Sequence, residues 1–174
     1  MAGTDRRKAK TEASEFATAG GPAIILVRPQ LGENIGTAAR AMLNCGLMDM
    51  RIVAPRDGWP NVKALNAAAG ADAVIGRVQL FDTVAEAVAE LDLVYATTAR
   101  VRDMEKPVLA PHPLAATVRA NAAAGEKSGI LFGREAKGLD NEDVALSDAI
   151  VMVPVSPDHT SINLGQAVLL IGYE

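Results

Sequence analysis

The chain has 174 residues, of which 49% are hydrophobic and 22% are charged, a composition that suits one globular domain with a sizeable core. Its net charge of −4 argues against a protein that grips nucleic acid through a bulk positive field, so any such contact must be local. The single cysteine, Cys45, excludes disulfide scaffolds and cysteine-ligated metal sites, and we expect no bound metal. No apolar run approaches the roughly 18 residues of a membrane span, which favours a cytoplasmic protein without membrane contact.

Residues 1–21 differ in composition from the rest of the chain. They mix charged and small residues without a hydrophobic period, and Arg6, Arg7, Lys8 and Lys10 lie close together. The segment lacks the apolar stretch of a secretory signal. We therefore predict a flexible basic tail, followed by one domain over residues 22–174.

Within that domain, short aliphatic runs alternate with alanine-rich stretches. Strands are predicted at 23–29, 50–55, 93–98, 129–133 and 149–155, and helices at about 34–45, 61–69, 83–91, 112–124, 140–146 and 161–173. Continuous apolar strands joined by helices indicate an α/β fold, with a mostly parallel sheet covered on both faces. Because ligands collect at the carboxyl ends of such strands, the loops after Arg28, Thr98, Gly133 and Val155 are candidate binding loops.

The first motif is the helix predicted at 34–45, which Asn34 or Glu33 would cap. Its buried stripe is formed by Ile35, Ala38, Ala39, Met42 and Leu43. Gly36 and Arg40 lie four residues apart on the opposite face. A glycine inside a helix costs about 1 kcal/mol relative to alanine, so Gly36 suggests that a ligand or another chain approaches the backbone there. The alternative is a solvated arginine beside a tolerated glycine.

Two further stretches combine strand ends with polar residues. In "LFGREAKGLDNED", Gly133 would let a ligand lie against the backbone, and Glu135 could anchor an arginine or a loop; the alternative is an ordinary strand-turn-helix corner. In "SINLGQAV", Ser161 and Asn163 open a helix whose first amides are free to donate.

Common nucleotide-binding signatures are missing. "GREAKGLD" has Leu139 and Asp140 where a phosphate-binding loop needs Lys and Ser or Thr, and the first strand is not followed by G-x-G-x-x-G. An ATPase or an NAD-dependent enzyme is therefore disfavoured. His112 and His159 have no acidic cluster beside them and are interpreted as loop histidines.

Taken together, "NIGTAARAM", "LFGREAKGL" and "SINLGQAV" resemble, in order and approximate spacing, the three motifs of the SPOUT (SpoU-TrmD) class of RNA ribose 2′-O-methyltransferases. The TrmJ branch, which methylates the tRNA anticodon loop, is the most similar. The resemblance implies a SPOUT fold whose last segment, roughly 128–174, threads into a deep trefoil knot. It also implies S-adenosylmethionine as cofactor, an RNA substrate, and a homodimer with the active site at its interface.

The resemblance also implies roles for individual residues. The cofactor-binding positions are Thr97, Thr98, Ala99, Gly133, Val153, Ile162, Asn163, Leu164 and Gly165. The catalytic positions are Arg40, Asn34, Glu135, Ser161 and Asn163. RNA contacts are expected at Gly36, Arg40 and Arg134. Apart from the resemblance, the loop 97–107 carries Arg100, Arg102 and Lys106 beside the predicted cofactor pocket, where we expect phosphate contact; the alternative is a solvated loop. We expect Arg40 to orient the target phosphate and ribose, and Gly36 to make room for them.

Two alternatives stay open at this point. The chain could be a non-catalytic knotted module for RNA binding or dimerisation, or its substrate could be ribosomal RNA. TrmJ-type relatives are expected to carry a helical extension beyond the position of Glu174 that helps to grip tRNA. If such a part is missing here, cofactor binding should survive while tRNA affinity and site choice weaken.

Overall fold

The computed structural model describes residues 21–99 and 105–174. The predicted basic tail, apart from Gly21, and both Arg100 and Arg102 lie outside these residues. No helix in the described part of the chain is long and apolar enough to cross a membrane.

A parallel sheet forms the centre of the described structure. Its strands are β1 (Ala23–Val27), β2 (Met50–Val53), β3 (Gln79–Phe81), β4 (Leu93–Thr97), β5 (Val108–Leu109), β6 (Ser128–Phe132) and β7 (Ala149–Val151). Their order across the sheet is β3-β2-β1-β6-β4-β7-β5, and every pair is parallel. The late strand β6 therefore lies between β1 and β4, which brings the loop after β6 beside the loops after β1 and β4.

Helices cover both faces of this sheet. They are α1 (Gly32–Asn44), α2 (Val62–Ala67), α3 (Asp72–Ile75), α4 (Val84–Val88), α5 (Pro111–Ala123), α6 (Asn141–Ala145) and α7 (Leu164–Tyr173). Alternate residues of β1 enter different cores: Ile24 and Leu26 pack with α1, α2 and α7, whereas Ile25 and Val27 pack with α4 and α6. This arrangement confirms the predicted α/β class.

Three short elements were not predicted from the sequence. β3 and β5 are edge strands with exposed residues, and α3 has a single buried residue, so none of them has the apolar pattern that identified the others. All five predicted strands also end earlier than predicted, by one to four residues. Arg28 and Ala54, with φ of 49° and 41°, turn the chain away directly after β1 and β2.

Helix α1 differs from its prediction at the N-terminus and at Gly36. It begins at Gly32 with Leu31 at the N-cap, so neither Asn34 nor Glu33 caps it. Gly36 is buried against α2, and a Cβ at this position would lie 2.3 Å from the carbonyl oxygen of Ala64. The close approach that this glycine permits is to the chain's own neighbouring helix, which accounts for the glycine without RNA, and the RNA contact at Gly36 stays a prediction.

Helix α7 packs against the other side of α1. It begins at Leu164, three residues later than predicted, and Asn163 caps it by accepting hydrogen bonds from the amides of Gly165 and Gln166. A Cβ at Gly165 would lie 2.6 Å from the hydroxyl of Thr37, which shows how closely the two helices approach. Helix α1 is thus held between α2 and α7.

Candidate functional site

A cleft of about 240 Å³ opens at the carboxyl ends of β4, β6 and β7. Apolar side chains form its floor, and the backbone of the turn 133–138, here called the cleft wall, forms one side. The polar and apolar groups that line it include Thr97, Thr98, Ala99, Phe132, Gly133, Arg134, Glu135, Val151, Val153, Ser161, Ile162, Leu164, Ala167 and Ile171. This position agrees with the general rule that ligands bind at the carboxyl edge of a parallel sheet.

The carboxylate of Glu135 joins the cleft wall to the start of α1. One oxygen accepts a hydrogen bond from the backbone N–H of Gln30 at 2.9 Å. The other accepts from the N–H of Leu31 at 3.2 Å and from the side-chain amide of Asn34 at 2.9 Å. Gln30 and Leu31 directly precede the first residue of α1. Glu135 therefore supplies hydrogen-bond acceptors at the start of this helix from a distant part of the sequence.

These donors also set the charge state of Glu135. Partial burial alone would raise the pKa of this carboxyl group. The Asn34 amide and the backbone N–H groups of Gln30, Leu31 and Glu135 itself outweigh burial and hold the pKa below its usual value. Glu135 is therefore ionised at neutral pH, and its oxygens are occupied by donors, so it supports the site rather than accepting a proton.

Asn34 links Glu135 to the start of α7 through hydrogen bonds. Its amide donates to Glu135, and its carbonyl oxygen accepts a 2.9 Å hydrogen bond from the amide of Asn163. Asn163 in turn accepts from the N–H of Gly165. Three predicted catalytic residues, one from each motif, thus form one chain of hydrogen bonds in which both ends of each asparagine amide are used.

Arg134 lies in the cleft wall, and the Nη2 atom of its guanidinium group is already engaged, whereas its buried Nε has no hydrogen-bond partner. Nη2 binds both carboxylate oxygens of Asp140, with one contact at 2.6 Å. Its side chain is 24% exposed. The structure therefore gives Arg134 an internal partner that the predicted RNA contact did not anticipate.

Lys106 also has an internal role. Its ammonium group donates to the carbonyl oxygens of Ala145 and Ser147, at the C-terminal end of α6. Sequence reasoning placed Lys106 with Arg100 on a phosphate-binding loop. The structure instead ties it to a helix end.

Arg40 lies outside the cleft lining, in a separate groove of about 270 Å³ between α1 and α7. The groove is lined by Thr37, Arg40, Ala41, Asn44, Asn163, Gly165, Gln166 and Leu169. Asn163 and Gly165, predicted to bind cofactor, line this groove and not the cleft. Within residues 21–99 and 105–174, no carboxylate forms an ion pair with Arg40.

The remaining predicted site residues that the structure describes all line the cleft. Thr97, Thr98, Ala99, Gly133, Val153, Ile162 and Leu164 line the cleft, as does the predicted catalytic residue Ser161. Sequence reasoning missed Gln30, whose side-chain oxygen accepts from the N–H of Ala136 at 3.2 Å. It also missed Asp140 as a partner of two arginines. The contacts of Gln30 with Ala136 and of Arg28 with Asp140 join segments about 100 residues apart, and no local pattern marks them.

The fold is a parallel α/β sheet with a cleft at its carboxyl edge, which is compatible with the SpoU family. Residues 21–173 match the SpoU rRNA methylase family, and the chain belongs to that family. The resemblance inferred from the three motifs is thereby confirmed.

Particular relatives include proteins with known structures and names. The crystal structure of TrmJ from Zymomonas mobilis ZM4 is similar, with 58% identity and a TM-score of 0.84 over 87% of this chain and 66% of that one. LasT, an uncharacterised tRNA/rRNA methyltransferase of Escherichia coli K12, is 38% identical over 87% of this chain and 66% of its own length. A tRNA (cytidine/uridine/adenosine-2′-O-)-methyltransferase TrmJ of Pseudomonas aeruginosa is 35% identical over 87% of this chain and 58% of its own. The chain thus spans about two thirds or less of the length of these relatives.

Proposed function

We propose that this protein transfers a methyl group from S-adenosylmethionine to a ribose 2′-hydroxyl of RNA, and that the RNA is tRNA methylated in its anticodon loop. The observation that carries the proposal is the cleft at the carboxyl ends of β4, β6 and β7, joined by the Glu135, Asn34 and Asn163 hydrogen bonds to the helix that bears Arg40. Family membership and the names of the TrmJ relatives support the reaction and the substrate class.

The cleft suits the proposed cofactor. Its floor is apolar, with Phe132, Leu164 and Ile171 among its members, and its wall offers backbone groups from the turn 133–138. An adenine ring needs apolar surfaces for its faces and hydrogen-bonding groups at its edge, which this combination provides. The ionised Glu135 lies at the same cleft and adds a negative charge that is compatible with a sulfonium ion.

Arg40 and the cofactor cleft lie apart in one chain, which favours an active site formed by two subunits. Arg40 lies in the groove between α1 and α7, whereas the cofactor cleft lies on the other side of the N-terminus of α7. Leu169, Leu170 and Tyr173 of α7 are 42%, 45% and 82% exposed beside that groove. We infer a homodimer in which this apolar face is buried and Arg40 of one subunit reaches the cleft of the other.

When bound in the cleft, S-adenosylmethionine would supply an electrophilic methyl group, attached to a sulfonium that departs as a neutral thioether, for transfer to the ribose 2′-oxygen. Arg40 orients the ribose by binding the adjacent phosphate through its planar guanidinium group. A guanidinium group stays protonated at neutral pH and is a poor base, so the proton of the 2′-hydroxyl passes to phosphate or water. Ser161, which lines the cleft, is a further polar contact for the substrate.

RNA contacts beyond the reacting ribose are proposed for Arg100 and Arg102. Both follow Ala99, which lines the cleft, within three residues in the sequence. Their guanidinium groups are suited to phosphate oxygens. With tRNA as the substrate, we place the protein in the cytoplasm, as one domain over residues 22–174 that follows a basic N-terminal segment.

We also propose that the C-terminal part of this domain forms a trefoil knot. Three features support it: β6 lies between two earlier strands, β7 lies beyond β4, and α7 then packs against α1 on the far side of β6. Tracing residues 133–163 in an experimental electron-density map tests this threading.

The experiment that tests the function is methylation of purified tRNA with S-adenosylmethionine, followed by mass spectrometry of the nucleosides and mapping of the modified position. We expect a 2′-O-methyl group in the anticodon loop. Arg40→Lys keeps the charge but loses the two-pronged donor, so its turnover should fall at least about tenfold while cofactor binding is retained. Arg77→Met, at an exposed position before β3, is the matched control.

Two results would contradict the proposal. Methylation of ribosomal RNA with tRNA left unmodified would overturn the substrate. No ribose methylation of either RNA, despite RNA binding, would indicate the non-catalytic module.

A further inference from the structure

Arg28 has an unusual backbone for its residue type. It follows β1 directly and has a φ of 49°, in the left-handed region that residues with a Cβ rarely adopt. A glycine would take this conformation without strain. A long charged residue at such a position suggests that its side chain performs a task that glycine could not.

The guanidinium group of Arg28 binds two carboxylates of the segment that follows the cleft wall. Its Nη2 atom lies 3.1 Å from a carboxylate oxygen of Asp140 and also contacts Asp143. The Asp143 side chain is only 8% exposed, and it also accepts a 3.0 Å hydrogen bond from the N–H of Asp140. Arg28 therefore supplies the positive charge that a largely buried carboxylate requires.

Asp140 connects this ion pair to the cleft. It is the residue at which the turn after β6 meets α6, and it also binds Arg134 of the cleft wall. Farther along the same wall, the side chain of Gln30 accepts from the N–H of Ala136. The backbone of Gln30 donates to Glu135. Gln30 thus binds the cleft wall itself, and Arg28 binds the segment that directly follows the wall.

We propose that Arg28 is a positioning residue for S-adenosylmethionine: through Asp140 and Asp143 it fixes the cleft wall in the shape that binds the cofactor. This inference rests on the proposed function, because it takes the cleft as the cofactor site. It concerns a residue outside the three motifs and outside the cleft lining.

The test compares three substitutions by calorimetric titration with S-adenosylmethionine and by hydrogen exchange. Arg28→Met removes the charge and keeps the length, and its dissociation constant should rise about tenfold, the size typical of losing a support behind a binding group. Arg28→Lys should recover part of this loss. Arg28→Gly removes the backbone strain of the positive φ but also lacks the guanidinium group. It should therefore bind the cofactor as weakly as Arg28→Met, although its folded state is at least as stable as that of Arg28→Met.

Hydrogen exchange separates positioning from general destabilisation. The N–H of Gly138, which donates to the carbonyl of Arg134 at 2.8 Å, should exchange faster in Arg28→Met and Arg28→Gly, while amides of β1 and β6 stay protected. Arg77→Met is again the control and should match the wild type in both measurements.

The possible outcomes discriminate between the inference and its premise. If Arg28→Met and Arg28→Gly bind the cofactor as tightly as the wild type, the positioning role is refuted and the proposed function stands. If the wild-type protein itself does not bind S-adenosylmethionine, the proposed function is refuted and the inference with it. Weak binding by Arg28→Met and Arg28→Gly, with recovery in Arg28→Lys and local exchange at Gly138, would support the role.

Discussion

Glu135 is the residue whose role in the structure differs most from the role that the sequence suggested. In the sequence it is a carboxylate at a strand end that could anchor an arginine or a loop, or could belong to an ordinary strand-turn-helix corner. In the structure its oxygens accept from Gln30, Leu31 and Asn34, so it acts as a fixed negative acceptor at the start of α1. Its depressed pKa follows from those donors.

Glu135→Gln should lower the free energy of unfolding by about 1–3 kcal/mol, because a glutamine amide presents donors to donors and leaves partly buried N–H groups unsatisfied. Urea denaturation measures the change. Glu126→Gln, on an exposed turn at the opposite edge of the sheet, should alter stability by less than about 0.5 kcal/mol. Equal effects of the two substitutions would contradict the supporting role of Glu135.

The same residue predicts a pH dependence with a definite sign. Since the folded-state pKa of Glu135 lies below the ordinary value of 4.5, its contribution to stability is present above that value and is lost as the pH falls through the folded-state pKa. The difference in stability between the wild type and Glu135→Gln should therefore be constant near neutral pH and shrink in acid. Urea titrations at about pH 7 and about pH 3 measure it. A difference that grew in acid would rule out an ionised Glu135.

At the scale of elements, α1 is the organising helix. Gly36 lets it approach α2, Thr37 meets Gly165 of α7, and Asn34 binds both Glu135 and Asn163. Its amphipathic period predicted a helix packed on the sheet. The pattern could not show that two further helices pack along its sides, because those contacts depend on the path of residues far away in sequence.

Gly36→Ala should destabilise the fold. Alanine gains about 1 kcal/mol in helix propensity, but its methyl group would lie 2.3 Å from the carbonyl oxygen of Ala64. Relieving that overlap is expected to cost about 1–3 kcal/mol, so the net effect is a loss. Thermal unfolding measures it, with Asn66→Ala at an exposed position of α2 as control. If Gly36→Ala left the melting temperature unchanged and weakened RNA binding, the result would support the RNA contact predicted for Gly36.

At the scale of the whole molecule, the proposed dimer explains why Arg40 and the cleft lie apart in one chain. Leu169→Lys would place a charge in the apolar face of α7 and should convert the dimer to a monomer without unfolding it, because Leu169 is 42% exposed in the single chain. Light scattering measures the mass. Val62→Lys, at a 72% exposed position on α2, should leave the mass unchanged. A wild-type monomer would overturn the dimer.

Mixed dimers test whether the active site is shared. Arg40→Ala removes the substrate-orienting group, and Val153→Trp fills the cleft of the subunit that carries it. If Arg40 acts across the interface, each mixed dimer has one complete site, and equal amounts of the two chains should restore about one quarter of wild-type activity. No recovery, with mixed dimers demonstrated by mass spectrometry, would show that Arg40 serves the cleft of its own subunit.

The amino-acid sequence by itself determined the α/β class, the larger strands and helices, and the three motifs that identify the family. These features are local: a buried strand or an amphipathic helix must carry its apolar pattern within a few residues. The short edge elements β3 and β5 lack that pattern and were missed.

Only the tertiary structure decided which motif residues meet. It joined Glu135 to Asn34 and Asn163, separated Arg40 from the cleft, gave Gly36 to a helix contact, and paired Arg28 with Asp143. Apart from the contact of Gly36 with α2, these outcomes depend on β6 lying between β1 and β4 and on α7 returning to α1. The physical reason is that a hydrogen bond or an ion pair between segments 100 residues apart leaves no periodic trace in either segment.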